Sequence, residues 1–415
     1  MTKEMNRREF LKLSGMTLLA TGLGGFLLKE LLSKTGVAAI ASGLTGSSPA
    51  GSLVVVQLSG GNDGLNTVIP YSQGAYYDAR PHIGIQQADV LKLDDQFGLH
   101  PNMQDLQQLY QAGQVAIIHG VGYPNPILSH FRSMAVWHTA DPTVRAQTGW
   151  LGRYLDSTWS KSADPLRAIN LGTVTPLALV SQKSDVPSII RPASYRLAAE
   201  HSNWWDPVFA SAARDMYSST LTDDLSFVRE EGQQMYQGMD EVALYAGKLK
   251  PSSGYPENPL ASQLEVVAGL LGAGVPTKVF YTQMGGFDDH AGEESHHGTT
   301  LGDFSSAVGA FMRDIKKRGL QDKVTILAFS EFGRRVKENG SMGTDHGEAG
   351  PVFLVGANVK GGMYGQYPSL QKTHQGDLSY TVDFRSVYAT ALEHVLQVNP
   401  KDVLGASFET VPVFV

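Results

Sequence analysis

The chain has no cysteine among its 415 residues. Disulfides, thiolate metal sites and cysteine nucleophiles are therefore excluded, and any bound metal must be held by His, Asp, Glu and hydroxyl or carbonyl oxygens. Positive charge is also short. The 33 Lys and Arg against 40 Asp and Glu leave a net charge of -7, which argues against nucleic acid, whose backbone demands a clustered basic surface. Beyond the N-terminal segment no apolar run is long enough to span a membrane, and there is no internal repeat or low-complexity tract. What remains, 42% apolar and 18% charged, is a globular composition.

The N-terminus carries a recognisable address. Arg7-Arg8-Glu9-Phe10-Leu11-Lys12 precedes an apolar stretch from Leu13 to Leu28. Paired arginines before such a stretch are a twin-arginine export signal, read by the translocation machinery that moves folded proteins across the bacterial inner membrane. The stretch is 16 residues long, contains Gly15, Gly22, Gly24 and Gly25, and stops at Lys29-Glu30, whereas a spanning helix needs roughly 20 apolar residues. Ala39-Ile40-Ala41 offers a small-residue cleavage site before Ser42. Residues 1–50 are thus expected to be signal and linker, with no stable membrane span after cleavage and a periplasmic or extracellular destination. Residues 51–415 are expected to form the folded domain.

In that domain, Leu53–Leu58, Val115–His119, Lys278–Tyr281, Val324–Phe329 and Val352–Val355 are short β-branched runs. Their continuity, rather than alternation, predicts strands buried on both faces of a mostly parallel sheet. Helical stripes lie between them. Met103, Leu106, Leu109 and Tyr110 share a face that ends at Gly113; Leu301, Phe304, Val308, Phe311, Met312 and Ile315 share another, followed by Lys316, Lys317 and Arg318. Val387, Tyr388, Ala391, Leu392 and Val395 form a third, and Ser262-Gln263-Leu264-Glu265 reads as a capping box. The alternation predicts a three-layer α/β sandwich. The stretch from about 157 to 260 breaks the rhythm and reads as a cap or insertion, or as further helices on the sheet face.

Ligands in open α/β sheets bind beyond the carboxyl ends of the strands. Polar, glycine-rich segments sit there: Ser59–Thr67, Gly285–His290 and Ser330–Arg335, with Ser129–Arg132 after the second strand and Gly343–Glu348 before the fifth. Each alone has an ordinary explanation as a turn, a cap or a solvated charge. Together they would bring carboxylates and imidazoles into one cleft, where charge must be paired or must coordinate a cation. Asp63, Asp288, His290, Glu331, Asp345 and His346 are the candidate metal ligands, for Mg, Mn, Ca or Zn. Such an ion could act as Lewis acid on a phosphoryl or sulfuryl oxygen beside a hydroxyl nucleophile.

Several of these segments resemble the signature blocks of the exported bacterial "domain of unknown function 1501" family. They are Gln57–Gly64, Ser129-His130-Phe131, Gly149-Trp150-Leu151-Gly152-Arg153, Gly285–His290, Ser330–Arg335 with Glu338-Asn339-Gly340, Gly343–Gly347 and Asp383-Phe384-Arg385. The resemblance runs from about 53 to 400. It implies an alkaline-phosphatase- and sulfatase-like fold, whose members hydrolyse or transfer phosphate and sulfate esters with one or two metals. By position it makes Asp63 a metal-binding aspartate, Ser129 the nucleophile, Asp288 and His290 the next metal motif, and His346 the last metal-binding histidine. Glu331 stands where an aspartate is usual.

The departures are specific. Phe332 occupies a place where a metal-binding histidine often follows, so one of the two usual sites is altered or lost. Without cysteine there is no formylglycine, and Arg132 comes one residue too early for the sulfatase spacing.

Three functional readings follow. The first is a metal-dependent hydrolase or transferase of phosphate or sulfate esters, with Ser129 as nucleophile, His130 beside it, and Arg132 or Arg334 clamping the anion. The second is a non-catalytic envelope protein that binds a polysaccharide or a partner, with Trp204-Trp205 as a sugar-stacking pair or simply a core pair. The third is a single-metal esterase that uses metal-bound water in place of Ser129. Nearness of Ser129 to the acidic and histidine cluster favours the first; a dispersed or dry cluster favours the second.

Overall fold

The computed structural model describes residues 51–158, 165–192, 195, 214–217, 226–250 and 252–414. The twin-arginine segment and Trp204-Trp205 lie outside the described residues. The chain divides into two compact units. One comprises Ala50–Ser188 and Leu249–Val415; the other includes Ile189–Lys248. The second unit contains the helix Ser226–Ala246, and there Arg214 pairs with Asp240 at 2.8 Å and lies over the Tyr236 ring.

The first unit is built on one sheet. In chain order its strands are β1 (Ser52–Leu58), β2 (Val115–Gly122), β3 (Ala168–Asn170), β4 (Val279–Met284), β5 (Val324–Ser330), β6 (Gly350–Val355), β7 (Gly362–Tyr364) and β8 (Val382–Asp383). Across the sheet the order is β7-β2-β6-β5-β1-β4-β3, and β8 pairs with β2. Every pairing is parallel except those of β6 with β2 and β5. β1, β2 and β5 are buried along their whole length, as continuous apolar runs demand.

The expected mostly parallel α/β sandwich is therefore present, with one reversed strand. That strand is not visible in the sequence, because a run such as Val352-Phe353-Leu354-Val355 reads the same in either direction. β3 extends the sheet from inside the stretch expected to be a cap.

Helices cover both faces. On one lie α1 (His130–Thr139), α2 (Trp150–Ser157), α3 (Phe384–His394) and α4 (Pro400–Leu404), packed over Val55, Ile118, Tyr281, Phe329 and Leu354. Trp137 stacks on Phe329 with centroids 4.9 Å apart; burying such an aromatic contributes about 1.5–3 kcal/mol.

On the opposite face, α5 (Pro259–Gly272) and α6 (Glu293–Lys317) pair, and Phe304 of α6 meets Phe353 of β6. α6 carries the apolar stripe from Leu301 to Ile315, all buried, and ends in Lys316 and Lys317, which suit a helix carboxyl end. α5 starts earlier than the capping box at Ser262 would place it. Asn258 is the cap, accepting from Ala261 N at 2.8 Å, with Pro259 in the first turn, while Ser262 bonds back to Asn258 O. An asparagine cap with proline after it satisfies the helix start, so Ser262 is interior.

Two of the resembling blocks serve this scaffold. A Cβ on Gly149 or Gly152 would lie within about 2 Å of the Ala178 and Val180 carbonyl oxygens. Arg153 donates to three carbonyls, of Val403, Thr148 and Thr139. Asp383 caps α3 and pairs with Arg385 at 2.6 Å.

Candidate metal centre

The strand directions decide what gathers at the sheet edge. β1, β2, β4 and β5 end there, followed by 59–67, 123–132, 285–292 and 331–335; β6 begins there, preceded by His346. Close approach of these loops depends on glycine. A Cβ on Gly60, at φ +126°, would sit 2.5 Å from Asp288 N, and one on Gly343 would sit 2.3 Å from the His290 carbonyl carbon. Any other residue at either place would push the loops apart.

His130, Asp288 and His346 come together so that one ligand atom from each lies within 4.8 Å of the others. His290 completes the group. The Nε2 atoms of His130, His290 and His346 stand 3.3, 3.1 and 3.2 Å from Asp288 carboxylate oxygens, and those of His290 and His346 face each other at 3.0 Å.

The other ring nitrogen of each histidine is already committed. His346 Nδ1 is 2.9 Å from the Leu128 carbonyl, His130 Nδ1 is 2.8 Å from Glu331 Oε1, and His290 Nδ1 is 3.4 Å from Asp345 Oδ1. A carbonyl or carboxylate only accepts, so each Nδ1 is placed to donate, and the neutral tautomer that does so leaves Nε2 free to ligate.

Three imidazole nitrogens thus converge on an anion. Asp288 is held down to about 2: burial raises it, but the hydrogen bonds from Arg334 and His346 outweigh that. His346 is shifted below the ordinary histidine value, chiefly by burial, which disfavours its charged form. The His130 Nε2 atom is buried and lacks a hydrogen-bond partner. An orphaned nitrogen aimed at a carboxylate fits a divalent cation between them, and the donor set of three imidazoles and one carboxylate fits a first-row transition metal. Phe332 forms the apolar wall, its ring centroid 4.9 Å from that of His130 and 4.6 Å from that of His346. Its inability to ligate is put to use as packing.

The remaining expected residues lie around this group. Glu331 is buried and turned to His130 Nδ1 and to Gly60 N, with Ser330 Oγ on its other oxygen. Asp345 bonds Asn339 Nδ2 at 3.2 Å as well as His290; its carboxyl is lowered, first by that amide. Ser129 is the exposed N-cap residue of α1 and makes no side-chain bond to the helix start. Arg132 is exposed in the first turn of α1.

Arg334 requires a correction. Its guanidinium is fully buried and donates to the carbonyls of Gly60, Gly61, Phe287 and Thr344 and to Asp288 at 2.7 Å. It ties loops together and fixes Asp288, and with its side chain fully buried it presents no exposed donor to a substrate anion.

Asp63 also lies elsewhere than expected. Both its oxygens face the Arg80 guanidinium, one at 2.8 Å, and it caps the short helical turn Gly64–Thr67. That pairing, set against the burial that opposes it, holds the Asp63 carboxyl well below the usual range. Around it Glu293 accepts from Thr344 Oγ1 at 2.6 Å and Asn66 Nδ2, and His297 Nε2 is 3.0 Å from Asn62 Oδ1. Burial, and then the Asp63 charge, push Glu293 up to about 9; burial pushes His297 down to about 3. Sequence reasoning missed Arg80, Glu293 and His297. Only Glu293-Glu294 and His296-His297, close behind Gly285–His290, were signals for them.

A family model described as "Protein of unknown function (DUF1501)" matches residues 50–407. No curated protein matches the chain. Among solved structures, similar ones include the C-terminal periplasmic domain of EcEptC from Escherichia coli in complex with Zn. It is 10% identical, with 84% of this chain and 83% of that chain covered and a TM-score of 0.38. A protein in the alkaline phosphatase superfamily from Vibrio parahaemolyticus is 10% identical over 87% of this chain and 71% of its own, at a TM-score of 0.37. The lipoteichoic acid synthase LtaP from Listeria monocytogenes is 10% identical over 86% and 76%, at a TM-score of 0.35. The fold follows from the sheet order given above and not from these likenesses. Among the described residues no helix is long and apolar enough to cross a membrane.

Proposed function

We propose, from the premise that the chain belongs to the DUF1501 family of proteins of unknown function, that it is an exported hydrolase with a single divalent metal ion, acting on phosphate or sulfate esters. The observation that carries this reading is the convergence of three imidazole Nε2 atoms on the Asp288 carboxylate. His130, His290, His346 and Asp288 would hold the ion. Three nitrogens and an oxygen suit Zn better than Mg, Ca or Mn, which favour oxygen. When bound, the ion supplies Lewis-acid polarisation of an ester or water oxygen.

The chain's own residues do the rest. Glu331, the Leu128 carbonyl and Asp345 fix the imidazoles, Arg334 fixes Asp288, and Phe332 keeps water from the wall behind His130 and His346. The Asp288 side chain, 50% exposed, leaves one side open for substrate. Arg132 and the partly exposed Arg335 supply positive charge for an ester anion. His130, rather than Ser129, is the member of its segment that enters the cluster, which favours water over the Ser129 hydroxyl as nucleophile. The twin-arginine machinery would be the export partner; an anionic ester or envelope polysaccharide would be the ligand.

Metal content measured by mass spectrometry on protein purified after export, with Asp288→Ala alongside, tests this. Near one equivalent in the wild type, lost in the variant, is expected. No metal in either overturns the reading and leaves a non-catalytic envelope binding protein. A screen of phosphate and sulfate esters with Ser129→Ala then separates the nucleophiles: retained turnover favours water, abolished turnover the serine.

A further inference from the structure

Glu331 is the one acidic residue at this edge whose surroundings fit neither a ligand nor an ordinary ion pair. Its side chain is 2% exposed. Oε1 accepts from Gly60 N at 2.9 Å and faces His130 Nδ1 at 2.8 Å, and Oε2 is 3.0 Å from Ser330 Oγ. Among the described residues it has no lysine or arginine within ion-pair distance; its one ion-pair partner is His130. A carboxylate this deeply buried is kept only where hydrogen bonds satisfy it, and three do. They also fix where it points. The Gly60 amide belongs to the loop after β1, so the carboxylate is held from β1 and β5 at once.

The imidazole it meets has a corresponding defect. His130 Nε2 is buried without a hydrogen-bond partner and lies 3.3 Å from Asp288. Of the two neutral tautomers, one would put the proton on Nε2, toward Asp288, and leave Nδ1 bare against the Glu331 carboxylate. The other puts it on Nδ1, where Glu331 accepts it, and turns the Nε2 lone pair toward the ion. The Glu331 contact is the shorter by 0.5 Å, and the Ser133 hydroxyl, one turn along α1, bonds the Glu331 carbonyl at 2.6 Å, so helix and strand end are locked together.

We propose that Glu331 is a positioning residue, not a metal ligand: by accepting the His130 Nδ1 proton it fixes the tautomer and ring orientation that aim His130 Nε2 at the ion. This rests on the metal reading above for its purpose but not for its geometry. The carboxylate stands one shell behind the ion, where partners of ligating histidines commonly change affinity 10–100-fold.

The test uses the full exported chain, stripped of metal, with ¹⁵N-labelled histidine. Long-range proton–nitrogen spectra report the tautomer, with the His130 signals assigned by their loss in His130→Gln. Zinc affinity is measured separately by chelator competition. In the wild type His130 is expected as the Nδ1–H tautomer. In Glu331→Gln a substantial share shifts to Nε2–H and zinc binding weakens by about 10–100-fold, while Glu331→Asp, still a carboxylate, restores part of both.

Nδ1–H unchanged in Glu331→Gln with unchanged zinc affinity overturns the proposal. If Glu331→Gln does not fold, the wild-type spectrum decides, since Nε2–H there overturns it equally. If zinc fails to bind the wild type yet the tautomer shifts on substitution, the metal reading falls and the positioning role stands.

Discussion

At Asp288 half the side chain meets solvent, and three imidazoles turn their Nε2 atoms toward it. At Asp63 the side chain is 2% exposed, and a guanidinium that is wholly buried grips both its oxygens. Both aspartates follow parallel strands at the same sheet edge, in segments with the same glycine spacing, Gly60-Gly61-Asn62-Asp63 and Gly285-Gly286-Phe287-Asp288. The difference is which charge is finished. Asp63 has its counter-ion within the chain and serves as structure. Asp288 has one guanidinium contact and three imidazole nitrogens around it, an arrangement that a cation would complete. A carboxylate at a strand end becomes a ligand or a brace according to whether an arginine reaches both its oxygens.

The largest way to break this comparison is to remove the counter-ion at the dry cluster. Arg80→Met leaves Asp63 buried and unpaired, a change that costs about 3–5 kcal/mol. Urea denaturation should show that loss, and a change under about 1 kcal/mol would mean Asp63 is not held by Arg80. At the wet cluster the opposite dissociation is expected. His346→Ala should lose the bound metal while the melting temperature of metal-free protein stays within a few degrees of wild type. A collapse of the metal-free fold would make the cluster a structural element instead.

Acid–base behaviour sharpens the contrast. Burial and the Asp63 charge raise Glu293 from 4.5 to about 9, so the folded state binds a proton that the unfolded state releases above 4.5. Its contribution is full below pH 4.5 and is lost as pH climbs toward 9. Asp63, with its lowered carboxyl, works in the reverse sense: its contribution is present above 3.8 and lost as pH falls below it. In Glu293→Gln the amide can still donate to Asp63 and accept from Thr344, so the decline in urea midpoint between pH 6 and 9 should flatten. An unchanged slope would show that Glu293 is not the group that titrates. The smallest effect belongs to the exposed rim. Arg132→Ala should move stability by no more than about 0.5 kcal/mol while raising the KM for any ester substrate found; a loss of folding stability would place Arg132 in the scaffold.

The sheet was legible because buried parallel strands leave uninterrupted apolar runs, and the edge that gathers ligands follows from strand ends alone. Asp288, His290 and His346 could be named together on that ground. What was not legible is a matter of partners distant along the chain. Arg80 looks like a solvated charge until Asp63 is folded against it, and nothing in Ser129-His130-Phe131 shows that residue 130, rather than 129, turns toward Asp288. Arg334 was misread for the same reason. A second arginine follows it, and only the four carbonyls around Arg334 tell the buried guanidinium from the partly exposed one.

The reversed strand β6 has a consequence for the order in which the molecule is completed. His130, Asp288 and His290 each follow their strands, but His346 precedes its own and is seated only when β6 slots between β2 and β5. Its partners lie 56 to 216 residues away along the chain, and contacts so remote in sequence form late. A nascent chain that has not yet emitted β6 has no place to seat His346. A metal at this site would be taken up only once the middle of the sheet closes, and a filled site would report a finished fold.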